Sequence, residues 1–166
     1  MKRTIATFKV EENINLKQQM LSWGNQFNIC CLLDNNNYKS TNHSFELLLA
    51  VGSKKIFTTT SNSNELNDLK TFLTNNNDWL FGHISYDFKN HIYPILSSNK
   101  IDNIQLPDVF LFQPEIVIKL TSNILTIESL TTEPTIIYNT ISAIKIDEYN
   151  IEIGRASCRE RVLNLV

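Results

Sequence analysis

The segment from 82 to 91 contains the residue types best suited to chemistry. His83, Asp87 and His91 could each bind a metal ion. A protein metal site usually needs three or four such ligands at characteristic spacings, and no further carboxylate or cysteine pattern completes this set. We therefore expect both histidines to be surface or packed side chains rather than metal ligands.

Ser85 is the candidate nucleophile of the same segment. It lies in Gly82-His-Ile-Ser85-Tyr86, which lacks the Gly-x-Ser-x-Gly spacing of a nucleophile elbow, and it falls within a predicted strand instead of at a strand-to-helix turn. Only three glycines precede residue 152, and no two are adjacent. The sequence therefore predicts neither a serine nucleophile nor a glycine-rich phosphate-binding loop.

The three cysteines are Cys30, Cys31 and Cys158. Their odd number and their spacing supply neither a disulfide framework nor four zinc ligands. Cys30 and Cys31 are neighbours in an apolar run, so on a strand their side chains point to opposite faces. We expect both to be small buried residues of a reducing compartment.

Apolar periodicity predicts the elements that position these residues. The runs 27–33 and 45–51 are almost continuously apolar, which is typical of strands covered on both faces. Residues 116–120 and 124–130 predict a hairpin around Thr121-Ser122-Asn123. Further strands are predicted at 3–10, 55–60 and 79–86, and an apolar segment at 106–112. Helices are predicted at 15–24, at 63–74 and after Pro134. The last of these helices is expected to lead toward a following domain. The predicted fold class is α+β, with a mostly antiparallel sheet and two or three packed helices.

Length and charge limit the class of protein. The chain has 166 residues, of which 42% are hydrophobic and 19% charged, and its net charge is −2. This composition supports one folded domain and excludes wholesale disorder. It lacks the basic excess of proteins that bind nucleic acid or anionic membranes. The chain has neither a signal-peptide pattern nor a long apolar run, so we expect a cytoplasmic protein without nucleic-acid or membrane partners.

Residues 152–166 differ in composition from the rest of the chain. They contain three of its four arginines, Arg155, Arg159 and Arg161. The string from Glu152 to Val162 resembles a translated sequencing adapter and is excluded from fold reasoning. We therefore predict a first domain at 1–151, cut short before a further domain, and a non-native tail at 152–166.

Four segments together resemble a known family. They are Leu32-Leu-Asp34-Asn-Asn-Asn-Tyr38, Phe45-Glu-Leu-Leu-Leu-Ala-Val-Gly52, Trp79-Leu-Phe-Gly82-His-Ile-Ser-Tyr86-Asp87-Phe-Lys89 and Leu106-Pro107-Asp108. In this order they resemble the N-terminal region of aminodeoxychorismate synthase component I, which is related to anthranilate synthase component I. The first branch is favoured because anthranilate synthases typically have Leu-Glu-Ser where this chain has Leu33-Asp34-Asn35.

The resemblance implies an activity for an intact parent enzyme. That enzyme would aminate chorismate on the route to p-aminobenzoate and folate, using ammonia from a glutamine amidotransferase subunit. In the family, chorismate and Mg²⁺ bind a C-terminal domain that also supplies the catalytic residues. This chain is therefore expected to have no catalytic residue and no cofactor of its own, and to be inactive alone. Alternatives are an anthranilate synthase fragment, or a non-catalytic module that binds an amino acid or docks a partner.

The resemblance also implies a small tryptophan-type pocket. By position it would comprise Leu33, Asp34 and Asn35, with Phe45 entering from the next strand. Asp34 could pair with a ligand's ammonium and Phe45 could stack on an indole ring. Asn35 replaces the family's usual serine. The alternative is structural: Asp34 and Asn35 begin a loop, and Phe45 belongs to the core.

Overall fold

The computed structural model describes residues 2–11, 14–36, 38, 45–59, 65–93, 95 and 105–146. The predicted tail at 152–166 lies outside the described residues, as do the last residues of the predicted first domain. The strands are β1 (Thr4–Lys9), β2 (Cys30–Asp34), β3 (Leu47–Val51), β4 (Lys55–Thr58), β5 (Phe81–Ile84), β6 (Val109–Gln113), β7 (Ile116–Thr121) and β8 (Ile124–Ser129). The helices are α1 (Ile14–Gly24), α2 (Glu65–Thr74), the short α3 (Lys89–Ile92) and α4 (Pro134–Ser142), and a 3₁₀ turn spans Tyr86–Phe88.

The strands form two antiparallel sheets. The larger sheet has the order β1-β8-β7-β3-β2, and the smaller has the order β4-β6-β5. The predicted α+β class with mostly antiparallel pairing is confirmed. The hairpin prediction is also confirmed, because β7 and β8 pair from Ile116↔Ser129 to Thr121↔Ile124, and Ser122 has a positive φ of 51° in the turn.

Helices α1 and α4 cover one face of the larger sheet. Met20 of α1 and Ile141 of α4 are completely buried there, against alternate residues of the central strands such as Leu49 and Ile118. Burial of a side chain of this size stabilises the fold by about 1.5–3 kcal/mol. Helix α4 therefore belongs to the core of the described residues.

The opposite face of the larger sheet packs against the smaller sheet. Leu48, Ala50 and Val117 meet Phe81 and Phe112 in an aromatic-rich inter-sheet layer. Strand β3 is buried on both faces, as its apolar run predicted. Leu69 of α2 covers the far side of the smaller sheet, so the described residues are arranged as helices, sheet, sheet and helix.

Strand β2 departs from the prediction. It was expected to be covered on both faces, but it is an edge strand, and Leu33 is 55% exposed. Cys30 is exposed and Cys31 half-buried, so the expectation that both cysteines are buried is wrong for Cys30. The edge strand β2 and the central strand β3 share a continuous apolar composition, which does not indicate how far the packed layers cover each strand.

Gly82 allows β5 and β6 to approach closely. Its φ is 142°, and a Cβ atom at this position would lie 1.8 Å from the carbonyl oxygen of Phe110. Only glycine adopts such a backbone conformation without strain. The glycine of Gly82-His-Ile-Ser85 thus has a packing role in this strand.

Candidate functional site

Asp34 ends β2 and is paired with a lysine of the neighbouring helix. Its Oδ1 accepts hydrogen bonds from Lys17 Nζ on α1 and from the backbone N–H of Asn36, both at 2.9 Å. Partial burial acts to raise the pKa of Asp34, but these hydrogen bonds and the Lys17 charge outweigh it and hold the pKa below its ordinary value. Asp34 is therefore a carboxylate that already holds one ammonium group.

Asn35 and Asn36 turn the chain away from the sheet edge. The Asn35 N–H donates to the Glu46 carbonyl at 3.0 Å, and the Asn35 carbonyl accepts from the Tyr38 N–H at 2.9 Å. Asn36 has a φ of 50°, a left-handed conformation that asparagine tolerates better than most residues. This geometry agrees with the alternative that the asparagines begin a loop, and leaves the predicted pocket role of Asn35 open.

Phe45 precedes β3 and packs into the inter-sheet layer. Its ring meets Trp79 edge-on with centroids 6.3 Å apart, and it lies against the cluster that contains Leu48. Leu33 pairs directly with Leu48, and paired residues of neighbouring strands share a face. Leu33 and Phe45 therefore lie on the inter-sheet side of the larger sheet.

Asp34 lies on the other side of that sheet. It pairs with Leu47, which belongs to the core under α1 and α4, and successive side chains of a strand alternate between faces. The structure thus places Leu33 and Phe45 on one side of the sheet, and Asp34 with Lys17 on the other. Because β2 is an edge strand, a single ligand could contact both groups only by passing around that open edge.

A charged cluster in the inter-sheet layer was not identified from the sequence. Trp79 Nε1 donates to Glu128 Oε2 at 2.9 Å, and Lys119 Nζ pairs with Glu128 Oε1 at 2.5 Å. Lys119 Nζ also lies 5.5 Å from the centroid of the Trp79 ring, within cation–π range. The sequence predicted the hairpin but not its register; in the observed register Val117 pairs with Glu128, so Lys119 and Glu128 lie on one face, two residues apart.

A second cluster of polar side chains, centred on Arg3 and Asp78, connects the N-terminal segment to residues of both sheets by hydrogen bonds. Arg3 donates to both oxygens of Asp78 at 2.8 and 3.0 Å and to the carbonyls of Pro114, Glu115 and Glu128. Gln113 Nε2 donates to Asp78 Oδ2 at 2.7 Å. Burial acts to raise the pKa of Asp78, but the hydrogen bonds and the Arg3 charge hold it below its ordinary value. No local sequence signal links Arg3 to Asp78, which is 75 residues away.

His83 and Ser85 of the segment 82–91 have structural contacts. His83 packs on the Phe110 ring, and its Nε2 lies 3.0 Å from the Pro107 carbonyl oxygen. Ser85 Oγ donates to Asp108 Oδ1 at 2.6 Å, which joins the end of β5 to the start of β6. Within the described ranges, no group of three or more His, Cys, Asp or Glu residues could hold a metal ion.

The two described cysteines are poor nucleophiles. Partial desolvation of the sulfur atoms raises the pKa of both Cys30 and Cys31, although the Cys30 residue as a whole is exposed, and the neighbouring Cys31 adds to the effect on Cys30. A raised pKa leaves little thiolate at neutral pH.

No helix among the described residues combines the length and the apolar character that a membrane span requires.

The chain matches no protein-family model, and a search of curated proteins returns no significant match. The family resemblance therefore rests on the four quoted segments.

Proposed function

We propose that this chain is the N-terminal part of a chorismate-utilising aminase of the aminodeoxychorismate synthase component I type. In this proposal it supplies scaffold and a tryptophan-type pocket. The parent enzyme would bind chorismate and Mg²⁺ through a C-terminal domain and receive ammonia from a glutamine amidotransferase subunit. The chain alone would carry out no amination.

The observation that supports the proposal best is the convergence of the four resembling segments. The first and second segments form the paired strands β2 and β3. The third and fourth are joined at Ser85 and Asp108, through the side-chain hydrogen bond and a backbone hydrogen bond of 2.7 Å. The second and third meet in the inter-sheet layer through Phe45 and Trp79. Segments with one shared origin are expected to form one structural unit of this kind.

The pocket is tested by titrating the full chain with L-tryptophan in a calorimeter. We expect heat of binding from the wild type and a weaker signal from Phe45→Ala, because that variant removes the aromatic surface proposed to hold the indole ring. Phe57→Ala is the matched control, since Phe57 is also partly buried but packs in the outer core under α2. Absence of heat from the wild type, or equal losses in both variants, would contradict the pocket.

The proposal that this chain alone carries out no amination is tested by an activity measurement. The purified chain, incubated with chorismate, ammonia and Mg²⁺, is expected to yield no aminodeoxychorismate. Detection of that product would overturn the proposal that the reactive groups lie elsewhere in the parent.

The parent itself is tested by reading the source gene beyond the codon for Ile151. The proposal expects an open reading frame that encodes a chorismate-binding domain in place of residues 152–166. A native stop codon directly after Val166 would favour the alternative, a non-catalytic module that binds an amino acid or docks a partner.

A further inference from the structure

The carboxylate of Asp34 has an internal counter-ion that competes with any amino-acid ligand. Lys17 Nζ lies 2.9 Å from Asp34 Oδ1, and the two side chains are only 29% and 32% exposed. The neighbouring Leu16 is 7% exposed and Met20, one turn further, is completely buried. The helix backbone that carries Lys17 is therefore fixed against the sheet, with the Lys17 side chain within reach of Asp34.

We propose that Lys17 occupies the ammonium position beside Asp34 and thereby weakens amino-acid binding at this site; the inference rests on the proposed function. An incoming ammonium must either displace Lys17 or share the carboxylate with it. Sharing places two like charges within a few ångströms, which is unfavourable. Displacement costs the free energy of the existing pair.

The competition acts on one class of ligand only. A ligand with an ammonium group, such as L-tryptophan, meets Lys17 directly. A ligand with the same indole ring but no amino group, such as indole-3-propionate, has no reason to displace it. Lys17 thus weakens the binding of every ligand that carries an ammonium group by a similar factor, and leaves ligands without one unaffected.

The test compares L-tryptophan with indole-3-propionate on the full chain and its Lys17→Met variant, by calorimetry. Partly exposed ion pairs contribute little, so we expect Lys17→Met to bind L-tryptophan about two- to fivefold more tightly and to gain no comparable affinity for indole-3-propionate. Lys17→Gln provides a second variant that keeps a polar side chain. Lys89→Met is the matched control, because Lys89 pairs with Asp87 at 3.0 Å away from β2.

The outcomes separate this inference from the proposed function. Tighter binding of L-tryptophan alone in both Lys17 variants supports the inference. Equal affinity for L-tryptophan in wild type and both variants overturns it and leaves the proposed pocket intact. No binding of L-tryptophan to any variant overturns both.

Discussion

Two aspartates of this protein form ion pairs of nearly the same length in very different places. Arg3 Nε lies 2.8 Å from Asp78, and Lys17 Nζ lies 2.9 Å from Asp34. The Arg3 side chain is 6% exposed and Asp78 is 18% exposed, whereas the Lys17 pair is exposed by about a third. Arg3 also donates hydrogen bonds to three backbone carbonyls between the two sheets, whereas Lys17 donates to Asp34 at the sheet edge.

The surroundings of an ion pair, and not its length, determine its role in these two places. A buried charge that loses its partner is left without water, so the cost of breaking the pair is large. A partly exposed charge is rehydrated when its partner leaves, so the pair is weak and can be displaced. The Arg3 pair is accordingly a structural link, while the Lys17 pair is the one that a ligand could exchange.

Removal of Arg3 is expected to have the largest effect. Arg3→Met leaves the partly buried Asp78 without its counter-ion. Because Asp78 keeps its hydrogen bonds from Gln113 and the Trp79 N–H, we expect a loss of about 3 kcal/mol in the free energy of unfolding, measured by urea denaturation. The double variant Arg3→Met/Asp78→Leu removes both charges and should recover part of that loss. A single variant as stable as the wild type would show that the pair is not a structural link.

Trp79→Phe tests the second buried charge, Glu128. The variant removes the Nε1 donor of the 2.9 Å hydrogen bond, and we expect it to cost about 1–2 kcal/mol more than Trp23→Phe. Trp23 is a suitable control because it is 5% exposed and packs edge-on against Phe27. Equal urea midpoints for the two variants would mean that the indole hydrogen bond adds no stability.

Acid is expected to act on both aspartates in the same direction. Both pKa values lie below the ordinary value of 3.8. A carboxyl with a depressed folded-state pKa contributes stability that is complete above its unfolded pKa and is lost as pH falls through the folded one. Urea midpoints should therefore fall below about pH 4, and Asp78→Asn should flatten that fall. An identical pH profile in the variant would show that Asp78 makes no contribution to it.

Removal of Lys17 is expected to have the smallest effect on stability. Lys17→Met should change the free energy of unfolding by less than about 1 kcal/mol, since the pair is partly exposed. The free energies of unfolding of Lys17→Met and Arg3→Met are compared directly by urea denaturation under the same conditions. A loss as large as that of Arg3→Met would remove the distinction between the two pairs and make Lys17 a structural residue.

Local features of this protein were largely predictable. Apolar periodicity predicted a helix at 15–24, which is α1, and the turn around Ser122 predicted the β7–β8 hairpin; both are confirmed. Leu33 and Asp34 lie at the end of β2 and Phe45 precedes β3, but the sequence did not assign the faces to which their side chains point. The edge position of β2 was missed because an apolar run carries no information about how many strands flank it.

The amino-acid sequence by itself determined the order of the helices and strands, the antiparallel α+β class and the alternation of side chains along each strand, because these depend on residues close together in the chain. The tertiary structure alone decided how the eight strands divide into two sheets, that Arg3 meets Asp78, and that Asp34 faces Lys17 while Phe45 faces Trp79. These contacts join residues far apart in sequence. Their energies depend on burial, which arises only when the whole chain packs.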